Sequence, residues 1–295
     1  MNFDDMRARI ATGEGFITAL DQSGGSTPKA LKGYGIEDGA WRSEDEMFGL
    51  IHQMRQRIIE SPCFGNGKVI GAILFEKTMD GESGGKPVPA RLAERGVVPL
   101  LKVDKGLEDE ANGVQLMKPM PGLEALCERA RALGVFGTKM RSVIKSANRE
   151  GIEAIVAQQF EEGRRILSAG LVPMLEPEYD IHAADRAEGE RILLESITRH
   201  LDTLGPDQQV MLKLSIPAEA GIYAPLIAHP KVLRVVALSG GYSTEEACEK
   251  LAQNPGMIAS FSRGLLQDLR HQQSDDEFDG TLGRAIDQIH AASVT

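Results

Sequence analysis

The chain has 295 residues, of which 42% are hydrophobic, and a formal net charge of −10. That length exceeds an ordinary domain but suits an α/β barrel, which closes around one core at roughly 250 residues. The acidic balance argues against nucleic acid or an anionic membrane surface as the main partner, and no run approaches the roughly 18–20 apolar residues that span a bilayer.

Met1 to Arg9 is polar and charged, with no apolar stretch of the kind a secretory leader needs. Cys63, Cys127 and Cys248 are isolated from one another. They form neither a CxxC nor a disulfide framework, so a reducing, cytoplasmic compartment is expected. The histidines fall into no HxH or HxxxH spacing, so no histidine-bound catalytic metal is expected.

Phe3, Met6 and Ile10 predict a short amphipathic helix over 3–11. A first strand follows from Gly15 to Asp21, then a Gly/Ser loop from Gln22 to Lys29. A helix is expected over 43–60 and a second strand from Val69 to Phe75. The Gly- and Pro-rich stretch from Thr78 to Pro89 reads as a loop. Strand three runs from Val97 to Val103 and carries Lys102. A helix over 121–133 leads to strand four, Gly134 to Arg141, with Lys139 and Arg141 at its end. After a helix over 147–169, strand five spans Leu171 to Leu175 and delivers Glu176, with Glu178 past Pro177. A helix over 183–203 precedes strand six, the apolar run from Val210 that carries Lys213. Strand seven, Arg234 to Leu238, ends in Ser239-Gly240-Gly241. Ser243 and Glu246 have the spacing of a capping box. Strand eight spans Gly256 to Phe261 and ends near Arg263. An amphipathic helix over 281–293 closes the chain, and the acidic run from Asp275 to Asp279 reads as a solvated loop.

Eight apolar runs alternating with helical segments predict a single (β/α)8 TIM barrel over 1–295, an α/β fold. The polar residues support this. Asp21, Lys102, Lys139, Glu176, Lys213, Ser239 and Arg263 all fall at or near the C-terminal ends of predicted strands, the catalytic face of such barrels.

Strands four, five and six would deliver Lys139, Glu176 and Lys213 side by side. A carboxylate between two lysines can move a proton, and a second ammonium favours loss of the proton from a nucleophilic lysine. The constellation, with Asp21 facing the same cavity, suits Schiff-base chemistry. The alternative is a salt-bridge cluster closing the barrel top, or a Lys213 whose head reaches water. Ser239-Gly240-Gly241 before a capped helix, with Arg263 after the next strand, has the form of a phosphate site, although it can also be an ordinary tight turn. A second phosphate candidate is Ser23 with Lys29, joined by Lys102 and Arg141. Two such sites flanking an amine suggest a substrate phosphorylated at both ends. Trp41, Tyr34, Tyr223, Met117 and Met120 read as packing, and the cysteines as buried and inert.

At these residues the sequence resembles the class I, Schiff-base fructose-bisphosphate aldolases, in particular the short bacterial form. The matching stretches are LDQSGGSTPKAL (20–31), GAILFEKTMD (71–80), VPLLKVDKG (98–106), FGTKMRSVIK (136–145), VPMLEPE (172–178), MLKLS (211–215), LSGGYSTEEA (238–247) and SFSRGLLQ (260–267). They run in family order from about residue 14 to 267. The resemblance implies reversible cleavage of fructose 1,6-bisphosphate, in glycolysis or gluconeogenesis, without metal or cofactor. It assigns the Schiff base to Lys213, proton handling at the carbinolamine to Glu176, and the C4 hydroxyl proton to Asp21. It gives Lys139 a charged, assisting role. Ser239, Gly240 and Arg263 would hold the C1 phosphate, with Gly241 in the same loop. Lys102 and Arg141 would lie toward the C6 phosphate, with Ser23 and Lys29. The sequence departs from the longer members in two ways. Its last tyrosine is Tyr242, so enamine protonation falls to another group, Glu176 or water. It also reads FSRG where they read FSYGR, so Arg263 aligns only across a gap. Rival readings are a Schiff-base aldolase for another ketose phosphate, a metal-dependent aldolase, and a non-catalytic barrel that binds sugar phosphate. The expected partner is a small phosphorylated sugar, and homo-oligomerisation is compatible with the sequence.

Overall fold

A computed structural model describes the backbone of residues 1–295 and every side chain except that of Arg263. Eight parallel strands form the barrel: β1 Phe16–Leu20, β2 Val69–Leu74, β3 Val98–Lys102, β4 Gly137–Ile144, β5 Val172–Tyr179, β6 Val210–Ser215, β7 Val232–Leu238 and β8 Ile258–Ala259. They pair in chain order from β1 to β8, and β8 returns against β1 to close the ring. Helices α1 Phe3–Thr12, α2 Ser26–Gly33, α3 Glu44–Glu60, α4 Val88–Glu94, α5 Leu123–Ala132, α6 Arg149–Ser168, α7 Arg186–Leu201, α8 Thr244–Leu251 and α9 Asp275–Ser293 accompany them. No helix is long and apolar enough to cross a membrane among the described residues.

Every strand is apolar on both faces because both are covered. Alternation along each strand divides these residues into two cores. Ile17, Ala19, Ile73, Leu100, Met174, Met211, Val236 and Ile258 fill the barrel interior. Leu20, Leu74, Leu101, Met140, Leu175 and Leu212 pack outward against the helices. The lower end of the barrel is sealed by α1, whose Met6 and Ile10 join the interior cluster. There Arg234 of β7 donates to the carbonyls of Ala11 and Gly13 at 2.8 and 2.9 Å.

Several sequence expectations are corrected. β4 begins at Gly137, not Gly134, because Gly134, with φ 85°, ends α5 in a left-handed turn. β4 also runs past Arg141 to Ile144, since an inserted strand, Val114–Gln115, pairs antiparallel with its last residues. β5 does not stop at Leu175 but continues through Glu176, Pro177 and Glu178. Pro177 lacks an N–H, yet it is tolerated because the β5–β6 ladder ends at Leu175–Leu212 and only β4 pairs with this stretch. The Gly/Ser loop is shorter than expected, and Ser26 to Lys29 already lie in α2. The stretch from 78 to 89 holds a hairpin, Glu82–Ser83 with Lys86–Pro87, and the start of α4. The run from Asp275 to Asp279 is not a loop. It is the first turn of α9, where Ser274 and Glu277 form a reciprocal capping box and three acidic residues complement the helix dipole. Conversely, Ser243 caps α8 but Glu246 does not return the bond; its carboxylate lies 3.8 Å from Lys250.

Candidate active site

The interior positions of the strands change character toward their C-terminal ends. Ile17 and Ala19 are followed by Asp21, Leu100 by Lys102, Met174 by Glu176 and Glu178, and Met211 by Lys213. Gly137 on β4 is followed by Lys139 and Arg141. The apolar plug thus ends in a charged layer at the floor of a cleft of about 1170 Å³. This cleft is lined by Asp21, Ser23, Lys29, Lys102, Lys139, Arg141, Glu176, Lys213, Ser239 and Gly240. Ten of the twelve residues singled out in the sequence therefore meet in one place. Gly241 is an exception: it faces a smaller adjoining pocket with Tyr242, Ser243 and Thr244. The side chain of Arg263 lies outside the described residues; its backbone opens a one-turn helix, Arg263–Leu266.

Four charged groups form the centre. Lys139 Nζ lies 2.9 Å from Asp21 Oδ2 and 2.8 Å from Glu176 Oε2. Lys213 Nζ lies 3.0 Å from Glu176 Oε1. All four residues are between 3 and 8% exposed, so they have lost most of their hydration and depend on mutual pairing. Burial alone would raise the Asp21 carboxyl, but the charges of Lys139, Lys213 and Lys102 more than offset it and hold the group at about 2. Glu176 is held below its ordinary value for the same reason, burial being outweighed by Lys139 and Lys213. Lys139 is displaced upward: burial would lower it, but the adjacent Asp21 and Glu176 carboxylates dominate. Lys139 therefore keeps its proton. Lys213 pairs with one carboxylate among the described residues where Lys139 pairs with two, and both lysines line the cleft.

Two further cations are tethered at the rim. Lys102 Nζ is 2.8 Å from Asp104 Oδ1 and donates to the Asp104 carbonyl at 2.9 Å, just past the end of β3. Arg141 pairs through Nε with Glu178, and its backbone N–H reaches Asp104 Oδ2 at 3.3 Å. On the opposite side, Gly240 has φ 62°, and a Cβ there would lie 2.5 Å from Ile181 Cγ2, so only glycine fits this turn. The turn is braced from behind: Arg186 pairs with Glu190 at 2.7 Å and donates to Tyr242 Oη at 3.0 Å, while Glu190 accepts from the Ala218 backbone N–H at 2.8 Å.

The sequence reading missed Arg55, Gln22, Asp104 and Ser260. Arg55 is 1% exposed, and among the described residues its guanidinium forms no ion pair with a carboxylate. Its guanidinium donates to Thr78 Oγ1 at 2.7 Å and to the Gln22 carbonyl at 2.6 Å, fixing the backbone just after Asp21. Gln22 in turn donates to Ser262 Oγ at 2.7 Å, linking the β1 and β8 loops. A signal for Arg55 existed: it interrupts the buried stripe of Met47, Ile51, Met54 and Ile58 on α3. Of the cysteines, Cys127 and Cys248 are buried, with burial pushing both thiols up to about 11, whereas Cys63 is only partly buried. Among the described residues no group of three or more His, Cys, Asp or Glu side chains is arranged to hold a metal ion.

The family model of class I fructose-bisphosphate aldolase matches residues 4–216. The chain is 58% identical over 281 residues to "Fructose-bisphosphate aldolase class 1" of Porphyromonas gingivalis, covering 95% of both chains. Its fold is similar to that of a solved fructose-bisphosphate aldolase from Plasmodium falciparum, with a TM-score of 0.80 at 19% identity over 98% of this chain and 94% of that one. A more distant likeness, TM-score 0.51 at 14% identity, is to the Corynebacterium glutamicum protein Cgl0159, over 98% of this chain and 92% of that one.

Proposed function

The chain belongs to the class I fructose-bisphosphate aldolases, and from that premise we propose how its own residues carry the reaction. The activity is the reversible cleavage of fructose 1,6-bisphosphate to dihydroxyacetone phosphate and glyceraldehyde 3-phosphate, a lyase reaction that needs no metal because an iminium serves as the electron sink. We assign that iminium to Lys213. Its amine sheds a proton to Glu176 Oε1, 3.0 Å away, and attacks C2 of the ketose. Glu176 returns the proton to the carbinolamine oxygen, which leaves as water. Asp21, held ionised, then takes the proton of the C4 hydroxyl. The electrons of the C3–C4 bond move into the iminium, giving an enamine and releasing the aldehyde. Protonation of the enamine at C3 and hydrolysis free the second product. Lys139 stays charged throughout and keeps both carboxylates in place.

The observation that carries this reading is that a single buried carboxylate, Glu176, touches two buried lysines lining one cleft, of which Lys139 is also paired with Asp21 and Lys213 is not. The same reading puts the C1 phosphate at Ser239 and Gly240, where backbone N–H groups precede α8, with Gly241 and Arg263 beside it. The C6 phosphate goes to Lys102, Arg141, Ser23 and Lys29. Residues 1–295 act as one catalytic domain, with a phosphorylated sugar as partner, as a homo-oligomer and in the cytoplasm, which three unpaired thiols support.

The test is borohydride reduction in the presence of dihydroxyacetone phosphate, followed by peptide mass mapping. The adduct is expected on Lys213. An adduct on Lys139 overturns the assignment of roles, and no adduct at all overturns the Schiff-base reading. Activity is expected to survive a chelator, and its loss would favour metal-dependent chemistry.

A further inference from the structure

One hydroxyl in the cleft has no part in the steps above. Ser260 is 1% exposed and lines the cleft, and its Oγ has no hydrogen-bond partner among the described residues. Ser215 Oγ bonds Tyr179 and Ser142 Oγ accepts from Gln159; the buried hydroxyls of Thr18, Thr27, Thr138 and Tyr223 are also unpartnered among the described residues, but of these unpaired hydroxyls only that of Ser260 lines the cleft. A buried hydroxyl left unpaired carries a desolvation penalty, and such groups are uncommon unless something else completes them. The position of Ser260 is well fixed. Its backbone N–H donates to the Ala237 carbonyl at 2.7 Å, continuing β8 along β7. Ile258, two residues earlier, belongs to the barrel interior, so alternation turns Ser260 inward as well.

The barrel geometry puts Ser260 level with the reacting lysine. In the hydrogen-bonded register Arg141 of β4 lies opposite Glu176 of β5, yet it is Lys139, two residues lower, that shares Glu176 with Lys213. This two-residue offset between alternate strands follows from the strand tilt. Carried onward from β6, the register runs from Lys213 to Val236 and from Val236 to Ile258, and the same offset leads to Ser260. Lys139, Lys213 and Ser260 thus form one layer.

Building on the Schiff-base reading above, we propose that Ser260 is a substrate-binding residue whose hydroxyl hydrogen-bonds an oxygen of the three-carbon, phosphate-bearing fragment that stays bonded to Lys213. That half is favoured over the departing aldehyde because β8 is laddered to β7, whose end leads directly into Ser239 and Gly240. A substrate oxygen there supplies the partner that the protein withholds, so the penalty is relieved only in the complex.

The test compares the wild type with Ser260→Ala and Ser260→Thr. Three quantities are measured: half-saturation by dihydroxyacetone phosphate in borohydride trapping, KM for glyceraldehyde 3-phosphate in the condensation direction, and the unfolding midpoint without ligand. Ser260→Ala is expected to raise the half-saturation by roughly three- to tenfold, the worth of one neutral hydrogen bond. It should leave KM for the aldehyde unchanged and keep or raise the midpoint, because an unpaired buried hydroxyl has been removed. Ser260→Thr, which keeps the hydroxyl on a strand-favouring side chain, should restore the wild-type half-saturation. Wild-type half-saturation in Ser260→Ala overturns the proposal, as does a lowered midpoint with equal losses for both substrates, which would mark a structural hydroxyl. A wild type that forms no adduct fails the Schiff-base reading and this proposal together. Normal wild-type trapping with an unaffected Ser260→Ala fails this proposal alone.

Discussion

Lys139 and Lys213 hold opposite oxygens of one carboxylate, Oε2 and Oε1 of Glu176, at 2.8 and 3.0 Å. Their difference lies in what else each touches. Lys139 has Asp21 on its other side at 2.9 Å, whereas Lys213 has no second carboxylate among the described residues. In the proposed mechanism one side-chain type thus serves both as a fixed charge and as a nucleophile, the two distinguished by a single ion pair.

Removing the fixed charge should be costly. Lys139→Met leaves Asp21 and Glu176 buried with one cation between them. The expected loss is about 3–5 kcal/mol of stability, as for other buried pairs stripped of one partner. The double variant Lys139→Met/Asp21→Asn should recover part of it. Denaturant titration checks both, and a single variant as stable as the wild type would show that the cluster relaxes to water.

Acid should release the same cluster. Asp21 falls from an ordinary 3.8 to about 2 in the folded chain, so its contribution is fully present above the unfolded value and is lost as pH falls through the folded one. The shift corresponds to about 2 kcal/mol. Glu176, also displaced downward, acts in the same direction. Lys139, displaced upward, keeps its contribution throughout this range, since it weakens only as pH rises past the ordinary lysine value. Unfolding midpoints measured from pH 5 to pH 2 should drop less steeply for Asp21→Asn than for the wild type; parallel curves would count against the ion pair.

Asp21→Asn should separate adduct formation from cleavage. Lys213 and Glu176 remain, so reductive trapping with dihydroxyacetone phosphate continues. Cleavage of fructose 1,6-bisphosphate should fall by roughly 10²–10⁴, the usual contribution of a positioned base. Normal cleavage would remove Asp21 from the mechanism.

The proposed C6-phosphate site can be tested at Arg141. It is half-exposed, lines the cleft and is held by Glu178. Arg141→Ala should reduce kcat/KM for fructose 1,6-bisphosphate by roughly 10- to 100-fold, the worth of a charge-assisted hydrogen bond of about 1.5–3 kcal/mol. Fructose 1-phosphate, lacking the C6 phosphate, should be almost unaffected. Equal losses on both substrates would displace the C6 site.

Much of the site was legible in the chain because a barrel strand is a simple code. A short apolar run must be buried, and a charge at its far end must emerge on one face of the ring. Asp21, Lys102, Glu176 and Lys213 could be placed by that rule without coordinates. Arg55 could not be given a function this way, because the meaning of a cation in a helix stripe depends on what lies opposite, here the carbonyl of Gln22 and the hydroxyl of Thr78. The ends of β4 and β5 were misjudged for a related reason. Their last residues are strand because β4 and the Val114–Gln115 insertion pair with them, and such partners are distant in sequence.

The sequence by itself determined the (β/α)8 architecture, the end of the barrel where the chemistry sits, and the residue types available there, since these follow from periodicity and local burial. Only the tertiary structure decided which lysine pairs with two carboxylates and which with one, that Gly241 turns toward an adjoining pocket, and that Ser260 enters the layer of Lys139 and Lys213. Those outcomes depend on strand tilt and on distances of a few ångströms between side chains far apart in the chain, which local patterns do not encode.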